Sequence, residues 1–186
     1  VNYRREDGRT PLMYAAEGNP NAKVIDVLIA NGADANATFR DNRTALMLAA
    51  QFNPSAAVTE ALLDGGASVH ARVDSGHTAL MIASIAQTER DVIDALIRGG
   101  ADVEARIDLG HTALMLAAEN NSSVEVVEAL IEAGSDVEAA TKSGYTALML
   151  AATYGRSPAI LDALLAADAD VNRQLQNGRT ALMLAA

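Results

Sequence analysis

One position recurs along the whole chain at a fixed interval of 34 residues: Thr10, Thr44, Thr78, Thr112, Thr146 and Thr180. Two residues after each comes Leu (Leu12, Leu46, Leu80, Leu114, Leu148, Leu182). Three after each comes Met (Met13, Met47, Met81, Met115, Met149, Met183), which uses all 6 methionines of the chain. Ala pairs such as Ala15-Ala16 and Ala117-Ala118 follow, with Ser84 the single replacement. A unit of this size cannot bury its apolar face alone. Stacked copies can, so the period restricts the chain to a solenoid whose stability sums repeats and nearest-neighbour interfaces.

Each unit reads as two helices and a loop. Thr is a good N-cap, because its hydroxyl accepts from an orphan backbone N–H. Pro11 stands at the first helical position, where a missing N–H costs least. The stretch that follows, Thr-Ala-Leu-Met-Leu-Ala-Ala in its commonest form, is apolar all along, as in a helix buried between neighbours. After a short polar turn (Gly18-Asn19-Pro20-Asn21), a second helix carries Val24, Ile25, Leu28 and Ile29, or Val126, Val127, Leu130 and Ile131. It is expected to end at Gly32, Gly66, Gly100 or Gly134, where glycine supplies positive φ. The fifth unit has Asp168 there, which predicts a slightly strained cap. The loops are expected to turn at Gly8, Asn42, Gly76, Gly110, Gly144 and Gly178.

A 34-residue period is nominally that of tetratricopeptide repeats, but their Trp, Gly and Tyr positions are absent. The segments Gly8-Arg9-Thr10-Pro11-Leu12-Met13-Tyr14-Ala15-Ala16 and Leu28-Ile29-Ala30-Asn31-Gly32-Ala33-Asp34-Ala35-Asn36-Ala37 closely resemble the ankyrin repeat. The resemblance covers essentially the whole chain, with one extra residue in the turn between helices. It implies an all-α, ankyrin-type solenoid of stacked helix–turn–helix repeats with projecting β-turn loops. We read residues 1–186 as a single repeat domain, with registers starting near 10, 44, 78, 112, 146 and 180. The sequence opens inside a loop at Val1-Asn2 and stops after a first helix at Ala185-Ala186, which reads as part of a longer array. The family usually has His where this chain has Met13 and its equivalents. That His ties adjacent turns, so its loss suggests a core held more by packing than by polar bridges.

Composition narrows the chemistry. The absence of Cys removes disulfides, thiolate metal sites and cysteine nucleophiles, and leaves the compartment open with cytoplasm favoured. No apolar run approaches the roughly 18 residues of a membrane helix, and no signal-like segment opens the chain. A net charge of −10 argues against nucleic acid, whose phosphates need a basic footprint. No nucleotide, zinc-protease or calcium-loop motif is present. Asp74-Ser75-Gly76-His77 are neighbours in a turn, not a triad assembled from separate elements. His77 and His111 lie one repeat apart, about 8–10 Å for stacked helices, too far to share a metal. His70 is a loop residue. We therefore expect no enzyme activity, cofactor or metal. The tripeptides Asn36-Ala37-Thr38, Asn42-Arg43-Thr44 and Asn120-Asn121-Ser122 match the glycosylation acceptor, but such tripeptides are common in Asn-rich turns.

The rings carry the functional signal. Only 3% of the chain is aromatic. Tyr14 alone falls in the buried helix pattern. Phe39 is at a loop tip, Tyr145 precedes a capping Thr, and Phe52 and Tyr154 are second after their Ala pairs. The resemblance places these positions on a concave partner-gripping face. The six loops 2–9, 36–43, 70–77, 104–111, 138–145 and 172–179 hold ten basic and seven acidic residues, a net of +3 against −13 elsewhere. This predicts a slightly basic loop surface suited to acidic or hydrogen-bond-accepting partner groups. The resulting expectation is non-catalytic protein recognition, with Phe39, Arg40, Arg43, Phe52, His77, His111, Tyr145 and Tyr154 contacting a protein partner. A regulatory or inhibitory segment of a larger enzyme is the alternative. A monomer is expected, with self-association through uncapped ends as its competitor.

Overall fold

The computed structural model describes residues 2–86, 89–121, 123–155 and 157–186. Val1 of the Val1-Asn2 opening and Ser122 of the Asn120-Asn121-Ser122 tripeptide lie outside them. Eleven helices are present among the described residues: α1 (Pro11–Gly18), α2 (Ala22–Ala30), α3 (Ala45–Phe52), α4 (Ala56–Asp64), α5 (Ala79–Ala86), α6 (Arg90–Arg98), α7 (Ala113–Asn120), α8 (Val124–Glu132), α9 (Ala147–Tyr154), α10 (Pro158–Ala166) and α11 (Ala181–Ala185). The odd-numbered helices stack on one another as an inner layer, and α2, α4, α6, α8 and α10 stack as an outer layer. The fold is the expected all-α solenoid.

Local chemistry explains the start of each inner helix. The hydroxyls of Thr10, Thr44, Thr78, Thr112 and Thr146 accept from the amide of the Met three residues on, at 3.3–3.4 Å. At Thr10 the Met13 sulfur accepts in return from the Thr10 amide at 3.4 Å. Thr180, before α11, makes no such bond. The first six residues of α3, α5 and α7 are buried, as helices flanked on both sides require. Outer helices bury one face, such as Val126, Val127, Ala129 and Leu130 of α8. Salt bridges link this layer across units: Arg98 to Glu60 at 2.8 Å, and Arg90 to Glu132. Some of the acidic helix charge thus joins units as well as facing solvent.

Two expectations about burial need correction. Tyr14 is only half-buried, because its hydroxyl reaches Asp7 in the preceding loop at 2.5 Å. Leu182 and Met183 of α11, whose inner-layer neighbour is α9, are 80% and 57% exposed.

Helices α2, α4, α6 and α8 are followed by Gly32, Gly66, Gly100 and Gly134, with φ between 85° and 90°. Asp168 adopts the same region at φ 62° and keeps the same closing bonds, Asp168 N–H to Leu165 C=O and Ala169 N–H to Leu164 C=O. A side chain there carries a steric cost that glycine avoids. Replacing Asp168 by Gly is therefore expected to stabilise the array by about 1 kcal/mol in urea denaturation.

Polar bridges between units are present, carried by residues other than the family's His. Arg4, Arg72 and Arg106 each donate to a carbonyl of their own turn and to one 34 residues on, for example Arg106 to Gly110 and Ala140 at 3.2 and 2.9 Å. Asn36 bonds the Gly66 carbonyl and the Ser68 amide, and Glu104 accepts from the Asp136 amide. Asn53 and Asn121 donate to the carbonyls of Ala16 and Ser84 at the end of the preceding inner helix.

Candidate functional site: the loop-facing side of the inner helices

Each loop closes with a small hairpin-like turn. Phe39 and Arg43 exchange two backbone bonds at 3.0 Å, and the Val73 and Ile107 amides donate to His77 and His111 carbonyls. In the first four units the turn brings the residue before the capping Thr near the residue eight positions on. The result is a column of side-chain pairs. Arg9 forms an ion pair with Glu17. Arg43 donates to the Gln51 side-chain oxygen Oε1 at 2.6 Å. His111 Nε2 lies 4.0 Å from Glu119.

Two clefts form along this column. One, of about 230 Å³, lies between the fourth and fifth units and brings His111, Tyr145 and Tyr154 together with Leu109, Glu119 and Leu150. The other, of about 200 Å³, joins Arg43 and Gln51 to Val73, His77, Ile82 and Ile85. Phe52 lines neither cleft and is 50% exposed at the end of α3. Tyr154 is its counterpart at the end of α9, 57% exposed. Tyr145 is half-buried against the core.

Phe39, expected at a loop tip, lies in the turn that it closes with Arg43. It is half-buried, and the Arg9 guanidinium sits 4.9 Å from its ring centroid. Arg40 is exposed. The basic loop surface also changes meaning, since Arg4, Arg72 and Arg106 are engaged with backbone carbonyls and Arg173 with Glu138. A depression of about 520 Å³ on the outer helices is lined by Arg90, Asp94 and Glu132, which already pair with one another.

Leu109 and Ile85 were missed in the sequence. Leu109 is 65% exposed and Ile85 37% exposed. The signal was available by register: Leu109 aligns with Asp7, Asp41, Ser75, Ser143 and Asn177, and Ile85 with Glu17, Gln51, Glu119 and Thr153.

His77 shares a hydrogen bond with the Ser75 hydroxyl at 2.9 Å. Burial holds its imidazole below its ordinary value of 6.5, the His111 charge adds to this, and Ser75 opposes it. The folded chain therefore binds fewer protons at His77 than the unfolded chain. Stability is unaffected well above the unfolded value and falls as pH drops through it. His77→Gln is expected to flatten that part of the stability profile between about pH 7 and pH 5, read by denaturant midpoints.

No helix of the described residues is long and apolar enough to cross a membrane. No group of three or more His, Asp or Glu among them could hold a metal ion. The structure defines a helical repeat solenoid with hairpin-like loops beside an inner helix layer. A family model for ankyrin repeats matches three times, over residues 1–73, 54–141 and 80–175. The chain belongs to the ankyrin repeat family, whose members generally mediate protein–protein interaction and are typically non-catalytic. A comparison with curated proteins gives no match.

Proposed function

We propose that this chain is a non-catalytic recognition module that grips a protein partner through the concave side of its inner helices and its loops. One observation carries the reading. Helices α3, α5, α7 and α9 bury most of their apolar side chains, yet Phe52 and Tyr154, at the same register position three units apart, leave half or more of their surface in water. Aromatic residues are enriched among binding hot spots. A rigid stack that holds them in place loses little entropy on binding. Arg43, His77, His111 and Tyr145 supply directional contacts beside them. Arg40 and Phe39 frame the loop edge.

The test is the double replacement of Phe52 and Tyr154 by Ala. It is expected to leave the helical spectrum and thermal transition unchanged while weakening partner capture by more than about 1 kcal/mol. Loss of thermal stability instead would mean the two rings are core, and the reading would fall.

A further inference from the structure

The column of pairs is not uniform in charge. In the first unit Arg9 is neutralised by Glu17. In the second, Arg43 hydrogen-bonds the neutral side chain of Gln51 where the first unit has an ion pair, leaving a formal positive charge. In the third, His77, Ile82 and Ile85 line the cleft that also holds Arg43 and Gln51, adding apolar surface beside that charge. In the fourth, the Glu119 carboxylate lies 4.0 Å from His111 Nε2 and accepts from the Asn120 side-chain amide at 3.4 Å, which places an acidic group at this step of the column. In the fifth, Tyr145 and Tyr154 bring two rings to the cleft that contains Glu119. The column therefore reads positive, apolar, negative over three consecutive units.

Resting on the recognition reading above, we propose that the cleft between the fourth and fifth units takes a basic side chain of a protein segment, while Arg43 takes an acidic side chain of the same segment. A carboxylate in a cleft lined by two tyrosine rings suits a cation, which pairs with the carboxylate and is attracted to aromatic rings. Arginine fits better than lysine, since its planar fork can pair with a carboxylate and stack on a ring. The cleft of about 230 Å³ has room for one long side chain. The exposed Leu109 forms its apolar lip.

Spacing sets the order of the partner's residues. Stacked helices lie about 8–10 Å apart, so Arg43 and Glu119 are separated by roughly 20 Å. An extended segment rising about 3.3 Å per residue would carry its acidic and basic residues about six positions apart, with an apolar residue midway for the Ile85 seat.

The experiment is parallel selection from a displayed library of random peptides about twelve residues long, or ~40 Å extended. The targets are the wild-type chain, Glu119→Lys and Arg43→Glu. Wild type is expected to enrich peptides with an acidic and a basic residue at that spacing. Glu119→Lys is expected to replace the basic preference with an acidic one and to weaken wild-type-selected peptides by at least about tenfold. Arg43→Glu is expected to replace the acidic preference with a basic one. Circular dichroism checks that each variant folds, and Glu119→Gln, expected to lose the basic preference, stands in should the Lys variant not fold. Peptides that depend on Phe52 and Tyr154 but show no charge order would overturn this proposal and leave the recognition reading intact. A basic preference that survives Glu119 substitution would also overturn it. A selection yielding no peptide dependent on Phe52 and Tyr154 would overturn both.

Discussion

Leu114→Ala is expected to destabilise the array by about 2–5 kcal/mol, the range for emptying a fully buried leucine site. Leu114 is 1% exposed in the middle of the stack, with inner helices packed on both sides of its own. Neither neighbour can collapse into the cavity without dragging its own unit, so little of the loss is recovered. The same substitution at Leu182, which holds the same register but is 80% exposed, is expected to change stability by less than about 0.5 kcal/mol. Urea denaturation of the two variants checks this. At a slope of about 1–3 kcal/mol per molar, the Leu114 variant should lose roughly 1 M or more in midpoint. Equal effects at the two sites would show that register alone, not burial between neighbours, sets the energetics.

Gly110→Ala is the second large effect, and its cause is different. Gly110 adopts φ 86°, and a Cβ built there would lie 3.0 Å from the Lys142 amide nitrogen and 3.3 Å from the Thr141 Cα. Both contacts are with the backbone of the next unit, and that backbone is held because the Lys142 amide donates to the Leu109 carbonyl at 3.1 Å. Gly178 holds the same loop position at φ 80°, but its Cβ would meet nothing within 4 Å. Gly178→Ala should therefore show only the left-handed backbone cost, about 1–2 kcal/mol. Gly110→Ala should show that cost and about 1–3 kcal/mol more from forcing two turns apart. Because Leu109 forms the lip of the cleft beside Tyr145, the Gly110 variant should also bind partner more weakly than its residual fold predicts. Indistinguishable stabilities for the two variants would remove the inter-unit contact as a cause.

Much of this architecture was legible before any coordinates, because much of it is local. The cap from Thr44 to the Met47 amide spans three residues, and the positive φ of Gly66 belongs to one residue. Such features depend on side-chain chemistry at short range, and a 34-residue period repeats them. The strained cap at Asp168 and the left-handed turn at Asn42 were readable for the same reason. Asp41 also takes positive φ, at 56°, and was not anticipated, because two successive left-handed residues depend on how the whole turn closes.

The candidate site was legible only in part. Rings and charges could be placed by register, and that brought His111, Tyr145 and Tyr154 into view. Register alone could not say that Arg9 would cover Phe39, or that Arg106 would be drawn to the Ala140 carbonyl instead of facing a partner. Nor could it say that Glu119 would share a cleft with Tyr154 of the next unit.

The sequence by itself determined the unit, its caps, its buried stripe and its family. The tertiary structure decided which charges remain unspent and which apolar side chains stay in water. The physical reason is that these depend on contacts between residues about 34 positions apart, made only when neighbouring units stack. Leu114 shows the point: it is 1% exposed because α5 and α9 pack on both sides of α7.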